Sequence, residues 1–353
     1  MTASHTRYVS IGKESTYNTP IASGSCKPGE IESESFQQSY DVMKRNDMNY
    51  YGAAKALVSK KVSEGSMTMA LQPDIFTLTV LHGIMGDDSP SSDGGSSATT
   101  DQRKFLEIPV SSGTTLPSYT FRVGRDEVEH VFAGQVIDSV SVSASVGEYA
   151  MLTVNTVGAA QNSSTTTLAT AVPTYVKDAA HFSKVFVDFE GTATNSNHST
   201  LVQSVDFEIK TNRDVDNSYG LGDETCVRAP PITVREISGS LSFHKSLLSG
   251  DTGSNNEPHF DELMGATSAN GQAIFNPAGG TVPALSLLFE VDADNYIRFD
   301  FFKIHFEMPE TSVSGRDSQT MTVNFHALYD LGQADKMMQI VCKSSEGIAN
   351  FDA

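Results

Sequence analysis

The 353-residue chain carries 43 Asp and Glu against 24 Lys and Arg, a formal charge of −19. That balance argues against a protein built to grip a polyanion and leaves room for one that a polyanion slides past. Length alone suits two cores of roughly 150–175 residues. Cys26, Cys226 and Cys342 are an odd number without metal-type spacing, so neither a disulfide framework nor a zinc site is expected, and a reducing compartment fits. No run approaches the ~18 apolar residues that cross a bilayer, and the N-terminal stretch shows no apolar signal region. Folding in the cytoplasm of the producing cell is the expectation, with no membrane partner.

In chain order, the first unusual segment is Phe36–Lys61 (FQQSYDVMKRNDMNYYGAAKALVSKK). It gathers Tyr40, Met43, Met48, Tyr50 and Tyr51 with Lys44, Arg45, Lys55, Lys60 and Lys61 in an otherwise acidic chain. Connections longer than ~15 residues are uncommon unless they bind something. Tyr, Met and Arg are favoured at interfaces, so the segment reads as an arm reaching a neighbouring subunit. The strand VSEGSMTMA (62–70) follows. Gln72–Gly86 reads as a helix: Pro73 and Asp74 suit its first turn, Ile75, Leu78, Leu81 and Met85 recur at helical spacing, and Gly86 suits the position after the last turn. The Met residues of the stripe read as core. Asp87–Arg103 has loop composition.

Clean period-two alternation marks Ser139–Val146, Val205–Ile209, Ile237–Phe243, Phe302–Met308 and Met321–Tyr329 as half-buried strands. Met151–Val154 and Val185–Phe189 add two more. Gly158–Asp178 has linker composition and places a boundary near residue 165, and Glu190–Thr200 reads as a hairpin tip. Lys210–Arg235, with Tyr219, Val227 and Pro230-Pro231, is a second long arm. Pro258–Gly265 reads as a second, shorter helix. The expected architecture is antiparallel sheets packed as sandwiches.

The chain writes one pattern twice. VSEGSMTMA (62–70) and EISGSLSFH (236–244) align Gly65 with Gly239 at an offset of 174, which also carries Ile31 onto Val205, Met67 onto Leu241 and Met69 onto Phe243. A one-residue slip would turn a strand inside out, so register kept over this span points to equivalent structure. Each strand is followed by a helix ending Met-Gly, a polar loop and closing strands, the order expected of a duplication.

Chemistry is scarce. Asp251-Thr252-Gly253 lacks the second carboxylate that aspartic-protease chemistry shares a proton with. Asp214–Glu224 resembles a calcium loop, but Tyr219 and Thr225 stand where the sharp-turn Gly and the bidentate Glu belong. The histidines are scattered singly, and His305 and His326 fall on polar strand faces. No P-loop, GxGxxG or GxSxG occurs. No catalytic, cofactor-binding or metal residue is assigned, and the chain reads as no enzyme. The two glycosylation-type sequons, at Asn162 and Asn197, are accidental in this context.

SIGKESTYNTP (Ser10–Pro20) resembles the opening of the tail tube (major tail) proteins of long-tailed bacteriophages, a G-x-E-x-T-Y-G-T-P-like segment; Asn18 replaces the Gly, a mild departure because Asn tolerates the left-handed region. SEGSMTM, the helix end LHGIMG, and Val131–Gly158, which resembles the family's closing hairpin with its F-x-G-x-x-V-x-S-x-S pattern (Ile137 standing at the Val) and Gly-Glu turn, extend the resemblance along most of the chain, in the family's long two-domain form. The resemblance implies a mainly β fold of two tandem, duplicated β-sandwich or barrel-like domains, each with a flanking helix and long inter-strand arms. The first domain is 1–165 (N-terminal arm 1–30, long arm 36–62, helix 72–86) and the second 166–353 (long arm 210–235, helix 258–265).

That family also implies a structural virion protein stacked as rings into a hollow tail tube that delivers DNA, with no cofactor. Implied partners are further copies of the chain, a tape measure protein, a tail terminator and distal tail or baseplate proteins, with DNA passing through unbound. A doubled domain lets three chains close a six-domain ring. Tyr40, Met43, Lys44, Arg45, Met48, Tyr50 and Tyr51 are the candidates for contacts between rings, and Asp206 and Glu208 for the lumen. A capsid-decoration or baseplate sandwich is the alternative; a carbohydrate-active sandwich is disfavoured by the absence of Trp.

Overall fold

The computed structural model describes residues 7–46, 48–90, 102–108, 116–165, 178–189, 192–195, 202–244, 274–275, 283–307, 320–330 and 336–345. The first half contributes β1 (Arg7–Lys13), β2 (Lys27–Gly29), β3 (Ser33–Glu34), β4 (Gln37–Asn46) and β5 (Ala53–Ala70), then α1 (Ile75–Met85), β6 (Gly86–Pro90), β7 (Gln102–Glu107), β8 (Tyr119–Arg125), β9 (Val128–Ser145), β10 (Met151–Gly158) and β11 (Ala160–Thr165). The second contributes β12 (Val185–Phe189), β13 (Val202–Lys210), β14 (Glu236–His244), β15 (Ile274–Phe275), β16 (Leu285–Asp292), β17 (Asn295–Phe301), β18 (Ile304–Phe306), β19 (Thr320–Ala327) and β20 (Met338–Lys343). All the described pairings are antiparallel.

The larger sheet runs β15-β18-β19-β14-β13-β9-β10-β5-β3. Its centre is the seam between halves, where β13 pairs with the C-terminal part of β9 from Ser204 opposite Ser145 to Lys210 opposite Ser139. The N-terminal part of β9 pairs instead with β8 and β11, so this 18-residue strand changes partners along its length. The second sheet runs β12-β16-β17-β20-β7-β6. Here too the halves are interleaved, since β7 pairs with β20.

Alternation explains why these strands stack. Along β19 every second residue (Met321, Val323, Phe325, Ala327) is buried while Thr322, Asn324 and His326 are exposed. The buried faces meet in one continuous core that draws on both sides of residue 165. Phe207 packs edge-on against Phe299 and Phe301, at centroid distances of 4.9 and 5.5 Å, and Phe301 meets Phe325 at 5.6 Å. Such pairs add ~0.5–1.5 kcal/mol each beyond area burial.

The helix predicted over 72–86 forms over 75–85. Asp74 caps it by accepting from the Thr77 backbone N–H at 2.8 Å, and Gly86 ends it at φ 93°. It is buried on every side from Phe76 to Met85, a core helix rather than a surface one.

Three segments differ from expectation. The flanks of the predicted loop Asp87–Arg103 are strands: Gly86–Pro90 pairs with 103–107, and Gln102–Glu107 is held by β20. The predicted linker Gly158–Asp178 begins as β11, whose Ala160–Thr165 line up along β9. In both cases long-range backbone pairing overrides a polar composition. Phe302–Met308 shortens to Ile304–Phe306, because Phe302 turns inward and its N–H bonds the Met337 carbonyl at 3.0 Å. The second predicted helix (258–265) and Asp251–Gly253 lie outside the described residues, as does most of the predicted tip 190–200.

Candidate assembly surfaces

The N-terminal segment is fixed by Glu14. Its buried carboxylate accepts from Ser118 Oγ and Thr120 Oγ1 at 2.8 Å each, and from the backbone N–H groups of Gly134 and Asn18 at 2.9 Å each. Asn18 sits at φ 60°, the conformation for which Asn substitutes tolerably for Gly. A second buried pair lies beside it: the Arg122 guanidinium donates to Glu129 at 2.6 Å and to the Ile21 carbonyl at 2.6 and 3.0 Å, while the Tyr8 hydroxyl donates to Glu129.

The arm at 36–61 is a β-hairpin. β4 and β5 pair from Gln37 opposite Glu64 to Asn46 opposite Ala53, and β5 then continues into the large sheet without a break. Nearly every side chain of β4 is exposed on both faces, so the hairpin has no core of its own to rest on. Tyr40, Met43, Tyr50 and Leu57 are more than half exposed, and Met48 and Tyr51 at the tip are fully exposed. Two-stranded ribbons are marginal in water, and a run of exposed apolar side chains marks an interaction surface.

The hairpin is anchored at its base. Phe36 lies over Gly65, where an added Cβ would come 2.2 Å from the ring, and stacks between Phe121 and Phe132 at 5.0 and 5.6 Å. Arg125 holds the entry with a bidentate pair to Glu34 and a bond to the Phe36 carbonyl. Burial pushes the Glu34 carboxyl up, but the Arg125 hydrogen bond and the Phe36 N–H outweigh it and leave it below the usual carboxylate range.

The second arm (210–235) forms no strand; it folds back as a brace. Its Glu224 carbonyl accepts from Lys61 N–H at 2.7 Å, Tyr219 Oη donates to the Lys61 carbonyl at 3.0 Å, and Lys60 lies over the Tyr219 ring and pairs with Asp216 at 3.1 Å. At its far end Arg235 reaches under α1, donating to the Ile84 carbonyl at 3.0 Å and pairing with buried Glu107 at 3.4 Å. Burial raises the Glu107 carboxyl against the opposing pull of Arg235. Arg213 nearby is lowered to about 10 by burial, partly offset by Asp138.

The outward face of the large sheet is hydroxyl-rich. One row of partners crosses it through Thr68, Thr153, Ser141, Glu208, Ser238 and His326. Asp206 stands on the next row between Ser143 and Ser240 and accepts from Ser240 Oγ at 2.5 Å. Glu208 pairs with Lys210 at 3.3 Å. Glu307 accepts from Asn324 Nδ2 and pairs with His326, each at 2.9 Å, and these bonds hold its carboxyl below the usual range. The middle of this face is a groove of about 700 Å³ lined by Ser141, Asp206, Glu208, Ser240, Glu307 and Asn324 among others.

The structure thus puts the seven predicted arm residues on one hairpin and Asp206 and Glu208 together on the separate polar face. Sequence reasoning missed the brace and a third surface, where Val146, Tyr149 and Phe182 are exposed beyond the ends of β9 and β10. His181 lies between Tyr149 and Phe182, at 6.5 and 6.1 Å. Val146 closes the alternating run Ser139–Val146 on its apolar phase yet is exposed in the turn after β9, whereas Tyr149 and Phe182 lie outside any periodic pattern. Among the described residues no cluster of His, Cys, Asp or Glu could hold a metal ion, and the segment 214–224 opens with a 3-10 turn at Asp216–Ser218, where Asp214 accepts from the Asn217 backbone and side-chain amides, before running on into the brace.

The family model described as phage tail tube protein matches residues 4–244 of this chain, a span that includes the Glu14 segment, the hairpin, α1 and the polar face as far as β14. No curated protein matches it.

Proposed function

Because the chain belongs to the phage tail tube protein family, a structural component of the virion tail, we propose that three copies form a ring of six similar units and that such rings stack into the conduit through which DNA leaves the capsid. The observation that carries this reading is a repeated pairing order. In the first half the large sheet runs β3-β5-β10-β9; in the second it runs β13-β14-β19-β18. β5 and β14 hold the repeated motif at the same place in each set. The two sets meet at the β9–β13 seam as one surface, so a doubled chain supplies two ring units without a bimolecular step between them.

The polar face is the lumen in this reading. Serine and threonine hydroxyls with Asp206, Glu208 and Glu307 solvate a passing polyanion without the counterion release that would hold it. The hairpin, exposed on both faces, contacts the next ring. Native mass measurement of an isolated ring tests the stoichiometry, and six chains per ring overturns it. Deleting 43–54 tests the hairpin, with a folded protein that makes no tubes as the expected result and normal tubes as the refutation.

A further inference from the structure

We propose that the hairpin tip of one copy docks into a cleft at the opposite end of β5 in a second copy, so that each stacking step is set by one tip and one socket. The proposal rests on the stacked-ring reading and names its receptor.

β5 runs unbroken from Ala53, beside the tip, to Ala70. At ~3.3 Å per residue its 18 residues separate those ends by roughly 55–60 Å. Ala70 forms part of the wall of a cleft of about 860 Å³, together with Val9, Ile31, Gln72 and Tyr149. Donor and socket therefore face away from each other along one strand. A contact between unlike surfaces at opposite ends of a subunit is head-to-tail and repeats without closing, which is the geometry of a filament.

The chemistry of the two ends matches. The tip presents Met48 and Tyr51, fully exposed, with Tyr50 two-thirds exposed and Lys44, Arg45 and Lys55 on the strands just behind. In the cleft, Ile31, Ala70 and Tyr149 offer apolar wall, and the rim is acidic. Two of its four carboxylates are engaged by arginines, Glu34 by Arg125 and Asp126 by Arg7 at 3.1 Å. Glu30 accepts from the neutral Gln72 amide at 3.0 Å, and Glu32 is exposed. The rim keeps an excess of negative charge, and in a chain of formal charge −19 the hairpin is the local concentration of the opposite sign. Such complementarity sets register and suppresses wrong partners more than it adds affinity.

The test mixes two single-cysteine variants, Met48→Cys and Glu32→Cys, assembles them and treats them with a short thiol-to-thiol crosslinker; Cys26, Cys226 and Cys342 are buried. The expected result is a two-chain product in tubes, absent below the assembly concentration and absent when Glu32→Cys is replaced by Ser164→Cys on exposed β11. Tubes in which Met48→Cys instead joins Leu221→Cys or Tyr329→Cys, exposed positions outside the cleft, overturn the cleft and leave ring stacking standing. A wild-type chain that makes no stacked assembly overturns the reading beneath it. Independently, Glu32→Lys should raise the concentration needed for assembly at least tenfold with unchanged circular dichroism, and Arg45→Glu in the same chain should restore it. Assembly unaffected by Glu32→Lys overturns the proposal.

Discussion

Replacing Glu14 by alanine should loosen the N-terminal segment by an amount that the structure bounds. The carboxylate satisfies four donors at 2.8–2.9 Å in a buried site. Two are hydroxyls, which can rotate toward other acceptors. The other two are the N–H groups of Gly134 and Asn18, which cannot, and a buried donor left unpaired costs ~1–3 kcal/mol. The expected loss is therefore about 2–6 kcal/mol, with the lower half favoured if water enters the space vacated by the side chain. Urea unfolding below the assembly concentration, read by circular dichroism, measures it; the midpoint should fall with an unchanged slope. Glu14→Gln, which keeps one acceptor oxygen, should lose less than Glu14→Ala, and hydrogen exchange at Gly134 N–H should accelerate in both. If Glu14→Ala unfolds within 0.5 kcal/mol of wild type, the carboxylate is not what fixes the segment.

Gly65→Ala should destabilise by ~1–3 kcal/mol, the usual range for overpacking, because the new Cβ meets the Phe36 ring at 2.2 Å; a melting temperature equal to wild type would show that the ring shifts freely. Burial raises the Asp188 carboxyl to about 6, above the ~3.9 of a free aspartate. The folded state therefore binds the proton more tightly than the unfolded chain does. Its contribution is fully present below pH ~4 and is lost as pH rises through about 6, by no more than about 3 kcal/mol. Asp188→Asn should flatten that fall, and an unchanged pH profile of urea midpoints would refute the assignment. Asp206→Lys with Glu208→Lys should leave tubes that retain duplex DNA in low salt in a cosedimentation assay, and tubes that still release it would place these residues away from the lumen.

Much of this was legible in the sequence where the signal is local. Alternation located β9, β13, β14 and β19, since a half-buried strand imprints its two faces on every second residue. The Asn18 substitution and the Gly86 cap followed from backbone conformation alone. The arm was found through its composition, yet its form as a hairpin was not: β4 is exposed on both faces and so carries no alternating imprint. Composition shows loop or linker across β6, the first two residues of β7 and β11, because these strands are held by backbone hydrogen bonds that are indifferent to side-chain type: β6 to β7, β7 to β20 and β11 to β9. The interleaving of halves was hidden for the same reason. A chain with a repeated motif suggests two separate bodies, whereas β7 crossing to β20 and β13 joining β9 make one. Tyr149 and Phe182 could have been flagged only as large aromatics in turns, a weak signal.

The two 18-residue strands also decide how the molecule carries load. β5 is bonded to β4 near its tip and to β10 near its other end, and β9 is bonded on both sides along most of its length. Antiparallel hydrogen bonds lie perpendicular to the strands they join. Tension applied between the hairpin tip and the Ala70 end therefore runs along the continuous backbone of β5, and the part of it passed on to β4 and β10 loads those bonds in shear, many at once, instead of peeling them apart one after another. Rupture in that direction requires simultaneous failure of a whole ladder, so axial pulling meets the stiffest resistance this fold offers, while a force that lifts β3 or β15 off the sheet's margins meets the least.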